Sequence, residues 1–292
     1  MKRFVTYISA FLLVMLIACR KDVTVKLPEY KQKLVVEASI ETGLNPVVLL
    51  STSVPFFGSF DLTAPQNAFV KGAFVTVSDG IQTDTLKELI PGLGYAYTGT
   101  KLTGQQGRSY TLRIKYGEID CSLSSSILNP VKLDTLYFKW EQDSLGFIWQ
   151  RFNEPPGLGN NYRWFAKRLN AKYKDNFYAA PLFSAFDDKF VDGKGFDFSY
   201  DRGPQPDNIQ AWRDEPNRSY FRVGDTVVVK FTHIGRNEYL FWDTYYQNKA
   251  SNSNPFSAPV NIRNMYVGRE DVFGSFTAYS PSFDTLVIKP KP

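Results

Sequence analysis

The 292-residue sequence predicts an all-β fold: an immunoglobulin-like sandwich, then a second aromatic-rich β domain with one short helix and a long loop. Three observations predict it. The composition is rich in aromatics (24 Phe, 17 Tyr, 5 Trp) and is punctuated by 17 Pro and 20 Gly, which favours strands and turns. Short apolar–polar alternations recur at about ten-residue spacing through the N-terminal half. One segment alone, 238–249, carries a helical period, with Tyr239, Trp242 and Tyr246 at i, i+3 and i+7.

The elements follow in order. Segment 34–40 reads as a strand, and 46–53 as its partner after the Gly43-Leu44-Asn45 turn. Segment 74–78 alternates apolar and polar residues, and Asp79-Gly80 supplies turn chemistry before 83–89. Strands at 95–98, 110–116 and 118–124 complete the first domain, 34–129, the last two joined at Tyr116-Gly117. The Cys-Trp-Cys core of a true immunoglobulin domain is missing, so the architecture alone is implied. Asn129-Pro130 marks a boundary, and the second domain spans 130–292. It holds strands at 133–141, 147–152 and 162–170, an irregular stretch at 174–219, a strand at 226–233, the helix, and strands at 274–279 and 285–289. A loop of that length is either functional or misassigned.

The first eighteen residues read as an export signal: Lys2 and Arg3, then an apolar run too short to span a bilayer comfortably. The run ends in Leu16-Ile17-Ala18-Cys19, the order of a lipobox, so Cys19 is expected to carry lipid and to anchor the chain in a membrane. Residues 19–33 would then be a tether. With Cys19 spent, Cys121 is the one thiol left; no intramolecular disulfide can form, and Cys121 reads as a small core residue. Loss of Lys2 and Arg3 lowers the net charge from +5 to +3, spread without basic runs, which argues against nucleic acid as a partner.

Familiar catalytic chemistry is missing from the sequence. His233 is the single histidine and stands at a strand end, where it reads as structural. No nucleophile elbow, zinc-protease, phosphate-loop or dinucleotide motif occurs, and no cofactor is implied. Five carboxylates, Asp187, Asp188, Asp192, Asp197 and Asp201, crowd one segment. They read first as a solvated acidic loop, then as a Ca²⁺ site built on Asp187, Asp188 and Asp192, and last as paired glycosidase carboxylates. The spacing does not match an EF-hand. A second candidate is the binding loop carrying Arg202, Trp212, Arg213, Arg218 and Tyr220, the residue types of contact hot spots.

Four motifs carry a family resemblance. They are 33–37 (Lys-Leu-Val-Val-Glu); 107–114 (Gly-Arg-Ser-Tyr-Thr-Leu-Arg-Ile) leading into Asn129-Pro130; Asn153-Glu154-Pro155-Pro156-Gly157 with Asn160-Asn161-Tyr162-Arg163-Trp164; and Asn254-Pro255-Phe256-Ser257-Ala258-Pro259 with Asn261-Ile262, Gly274-Ser275-Phe276 and Tyr279. With these the chain resembles the Bacteroidetes outer-membrane lipoprotein family built on domain of unknown function 4249. The family more often has Asp where Glu154 stands, and it has glycines where this chain has Asn264-Met265-Tyr266-Val267-Gly268. The resemblance implies an outer-membrane location, commonly beside a TonB-dependent receptor, and no established activity. Lys21-Asp22 is similar to the signal that sends such lipoproteins to the outer face. The expectation is a non-enzymatic accessory or binding subunit beside such a receptor. The alternative is a stand-alone carbohydrate-binding protein or glycosidase using the acidic loop 187–201. A helical glycan-binding architecture would need many amphipathic helices, and one segment qualifies.

Overall fold

The computed structural model describes residues 30–55, 65–170, 174–205, 213, 215–252, 257–258 and 260–291. Cys19, its tether up to residue 29, and Trp212 lie outside the described residues. The fold is all-β with one α-helix and one short 3-10 helix, Pro65–Ala68, among these residues.

Seven strands open the chain: β1 Leu34–Glu41, β2 Val47–Thr52, β3 Phe74–Ser78, β4 Thr83–Glu88, β5 Ala96–Thr98, β6 Ser109–Tyr116 and β7 Ile119–Ser126. Alternation sorts their side chains. In β6, Tyr110, Leu112 and Ile114 are buried while Ser109, Thr111 and Arg113 face solvent. The β3–β4 hairpin closes where the sequence predicts. Gly80 takes φ +86°, and the Asp79 carboxylate accepts the N–H groups of Ile81 and Gln82 at 3.0 and 2.7 Å. β4 pairs with β3 along Thr83–Leu86 and with β5 at Lys87 and Glu88, so one sheet folds over a core that includes Val36, Val75, Leu112 and Ile114. Cys121 lies in that core at 4% exposure, and burial pushes its thiol pKa up.

The remaining strands are β8 Thr135–Gln142, β9 Leu145–Asn153, β10 Asn161–Arg168, β11 Ala185–Asp187, β12 Gly195–Ser199, β13 Phe221–Arg222, β14 Thr226–His233 and β15 Val272–Val287. A small sheet of β8, β9, β12 and β13 packs against β10 and β14 through Ile148, Phe152, Tyr162, Trp164 and Phe231. The aromatic wealth of this half is spent there. Phe152, Tyr162, Phe186, Phe196 and Phe231 meet at centroid distances of 5.0 to 6.2 Å, mostly edge to face.

Two expectations need correction. The strands placed at 274–279 and 285–289 are one sixteen-residue strand, β15, running through Pro281. That proline stands where β15 changes partner, from β1 (parallel, ending at Glu41↔Tyr279) to β14 (antiparallel, from Ser280↔His233), a position that tolerates loss of a ladder donor. The division at 129/130 also fails to separate the cores: Tyr266, Val272, Phe276 and Ala278 belong to the first core although they follow the whole second set of strands. Residues 32–292 form a single compact unit. The irregular stretch 174–219 is itself partly ordered into β11 and β12.

The helix α1, Arg236–Ser251, covers the expected segment and two residues on either side. It buries Phe241, Trp242 and Tyr246 against Ala185 and Met265. Its N-cap, Gly235, brings no side-chain oxygen; a Cβ there would come within 2.3 Å of Glu238 Oε2, because Glu238 curls back over the first turn. Glu238 is 5% exposed and accepts a hydrogen bond from the Ser125 hydroxyl at the end of β7. Burial outweighs that bond and raises its pKa. A carboxyl raised on folding stabilises fully below its unfolded pKa, and that contribution is lost as pH climbs through the folded value. Glu238→Gln, which mimics the protonated form, is therefore expected to raise Tm above wild type at pH 7 and to leave it nearly unchanged at about pH 4. Thermal melts at the two pH values read this; a variant less stable than wild type at pH 7 would contradict it.

Candidate functional site

Two loops meet at one end of the second sandwich. The first follows β9 as Glu154-Pro155-Pro156-Gly157-Leu158-Gly159-Asn160 and returns into β10. Two prolines stiffen its start, and Gly157 and Gly159 take φ of +123° and +120°, open to glycine and strained for other residues. The second follows β11 as a helical turn, in which Val191 and Asp192 donate N–H to the Asp188 carbonyl and Gly193 turns at φ +65°.

Three carboxylates clamp the loops together. Asp188 Oδ2 accepts the N–H groups of Gly159 and Asn160 at 2.7 and 2.8 Å. Asp192 Oδ1 accepts Gly157 N–H at 2.6 Å. Glu154 reaches the other way: Oε2 accepts Gly193 N–H at 2.8 Å, and Oε1 accepts the Tyr162 hydroxyl and the Asn160 amide at 2.7 and 2.9 Å. Burial, reinforced by Glu154, drives the Tyr162 hydroxyl pKa far above its ordinary value. Glu154 and Asp188 are each 3% exposed, and the triad forms no ion pair among the described residues.

These three are the residues that could hold a cation, with one oxygen from each lying within 4.8 Å of the others. Ca²⁺ takes six to eight oxygen ligands. Here four of the carboxylate oxygens already bind N–H or O–H donors, which leaves Asp188 Oδ1 and Asp192 Oδ2 outside the network. The arrangement fits a mechanical clamp. Its product is a pair of exposed apolar tips. Leu158, between the clamped Gly157 and Gly159, is 71% exposed, and Phe190, between Asp188 and Asp192, is 79% exposed.

The remaining sequence-derived candidates disperse. Asp187 leaves the predicted Ca²⁺ set: it sits in β11 and pairs with Arg236 at 2.9 Å. Asp197 pairs with Arg151 at 3.2 Å, and Asp201 accepts Gly203 N–H. Arg202 is corrected outright. It is 2% exposed and inward-facing, held by Glu215 at 2.5 Å beside the Arg168–Asp175 pair, because those counter-charges are distant in sequence and adjacent in space. Arg213 is exposed and its carbonyl accepts the Arg218 guanidinium at 3.2 Å; Tyr220 packs on Phe147 at 4.9 Å. His233 donates from Nδ1 to the Asn129 carbonyl and packs at a tilt against Tyr162, and burial lowers its pKa. Glu154 was missed as a site residue, although a lone acid at a strand end ahead of Pro-Pro-Gly is a readable signal for a carboxylate that organises a turn.

Asp188→Asn places an amide donor or a weaker acceptor against two backbone donors, and is expected to cost about 2 kcal/mol in urea unfolding. Neither EDTA nor Ca²⁺ should move the wild-type Tm, since the clamp closes on N–H groups. A Ca²⁺-dependent rise in Tm, absent in Asp188→Asn, would reassign the triad as a metal site.

Comparison with known proteins agrees with the motif resemblance in the domain of unknown function alone. No curated protein matches the chain. Among solved structures, a two-domain fibronectin type-III segment of chicken tenascin aligns over 86% of this chain and 97% of its own length, at 10% identity and a TM-score of 0.22, too slight a likeness to bear on fold or function. The model of the family described as a domain of unknown function (DUF4249) matches residues 20–283, and the chain belongs to that family.

Proposed function

We propose that this protein is a non-enzymatic binding subunit of the outer membrane, anchored by lipid on Cys19, which captures a membrane-protein partner with the clamped loop pair. The observation that carries this reading is the rigid display of Leu158 and Phe190, two large apolar side chains exposed at 71% and 79% on loops fixed by three carboxylates. Loops held on a rigid scaffold often carry binding residues, and exposed apolar side chains grouped in a patch supply contact area. The lipobox at 16–19 supports the anchor, and the family resemblance supports a TonB-dependent barrel as the partner. No helix among the described residues is long and apolar enough to cross a membrane.

The glycosidase alternative needs a carboxyl that exchanges protons with substrate. Asp188 and Asp192 instead spend oxygens on backbone donors, and the accessory reading uses them as they stand.

A crosslinked pull-down with a tag after Pro292 tests the proposal. Wild type should recover one outer-membrane barrel near stoichiometry, and Leu158→Ser with Phe190→Ser should recover less than about a tenth as much at unchanged Tm. Equal recovery by the double variant would remove the loop pair as the contact; recovery of no partner by wild type would remove the accessory role.

A further inference from the structure

The outer face of the small sheet departs from what a solvated sheet shows. Outward positions of a sandwich are ordinarily polar. On β8 and β9 the outward neighbours are instead Tyr137 opposite Trp149 and Lys139 opposite Phe147, and all three rings are partly exposed. Such cross-strand pairs stand about 5 Å apart and form a continuous platform. Arg151 continues the same face beyond Trp149, paired with Asp197 on β12 at 3.2 Å, both about two-fifths exposed.

The charge on this platform is unbalanced. The Lys139 ammonium lies 3.6 Å from the Trp149 ring centre and 5.4 Å from that of Tyr137, and it forms no ion pair among the described residues. The Trp149 indole N–H is buried without an acceptor. Face, cation and orphan donor together ask for a ligand with three properties: a flat apolar side, a carboxylate, and hydroxyl or ring oxygens that accept hydrogen bonds.

We propose that this face binds a carboxylated polysaccharide, a chain of uronate sugars, independently of the loop pair. A pyranose ring lays its C–H side on Trp149 or Tyr137. Its carboxylate pairs with Lys139 as the ammonium swings off the indole, and neighbouring hydroxyls reach Arg151 and Asp197. A single unpaired cation suits one carboxylate held beside a stacked ring. A nucleic-acid strand, with a charge at every residue, would need a row of cations.

The test is titration calorimetry with tryptophan fluorescence, using galacturonate hexamer, a neutral galactose hexamer and oligothymidylate on the full chain. The expected result is saturable binding of the uronate hexamer with a change in Trp emission, about tenfold weaker binding of the neutral hexamer, and a loss of about tenfold in Lys139→Ala. Tyr137→Ala should weaken both sugars. These two variants sit on the surface, and an unchanged Tm certifies their fold. No saturable binding, equal affinity for neutral and acidic hexamers, tighter binding of oligothymidylate, or full binding by both variants would each overturn the proposal. Leu158→Ser with Phe190→Ser should bind the hexamer like wild type, which separates this face from the loop pair.

Discussion

β15 supplies side chains to both hydrophobic cores, and the remaining architecture depends on that shared strand. Its first half lies beside β1 and sends Val272, Phe276 and Ala278 into the first core; its second half lies beside β14, where Leu286 packs on the second. The approach to β1 is close enough that a Cβ on Gly274 would sit 1.8 Å from the Val36 carbonyl oxygen, so glycine is required there. Asn264 fixes the entry to the strand: its side chain accepts the N–H groups of Gly274 and Tyr266 and donates to the Val272 carbonyl. α1 is tied to the same strand through Trp242, whose indole donates to Thr277 at 3.1 Å. Arg163 joins in from β10, its guanidinium 3.5 Å over the Trp242 ring and hydrogen-bonded to Tyr246 and Tyr279. A buried guanidinium carries a large desolvation cost, and the aromatic cage with its two hydroxyls offsets part of it. Lys230 is held in the same way, by Glu41 on β1 and by the rings of Phe165, Tyr178 and Tyr279.

A second theme is how this chain uses acids. Asp84, 1% exposed, accepts three successive N–H groups from Thr100, Lys101 and Leu102 through one oxygen. Glu88 gathers the N–H groups of Gly72 and Gly92, which lowers its pKa. Glu154, Asp188 and Asp192 repeat the device at the loop pair. Carboxylates spent on backbone donors shape turns, and a protein that builds its loops this way is suited to presenting fixed surfaces. The loop tips and the aromatic sheet face are two such surfaces, on different elements and with different chemistry.

Much of this was legible in the sequence, for definite reasons. Period-two alternation in 110–116 and Asp79-Gly80 predict a hairpin because each acts over a few residues, and both are found. The helix was legible from Tyr239, Trp242 and Tyr246, although Phe241 and Glu238 also turn inward. Long-range partners were not legible. Arg202 reads as a surface cation until Glu215 and Asp175 are brought to it, and Asp187 reads with Asp188 until alternation in β11 turns it toward Arg236. That 274–279 and 285–289 form one strand is not legible either, because the tolerance of β15 for Pro281 depends on where β1 ends. Glu154 escapes notice as a site residue because Asp188 and Asp192 lie more than thirty residues downstream.

Hydrogen exchange on a Gly274→Val variant tests most directly whether one strand holds both cores. The account predicts that amide protection falls together in β6 of the first core and in β10 and β14 of the second, because the displaced β15 belongs to both. Loss of protection confined to β1–β7, with β10 and β14 as protected as in wild type, would contradict it and would restore two independent domains.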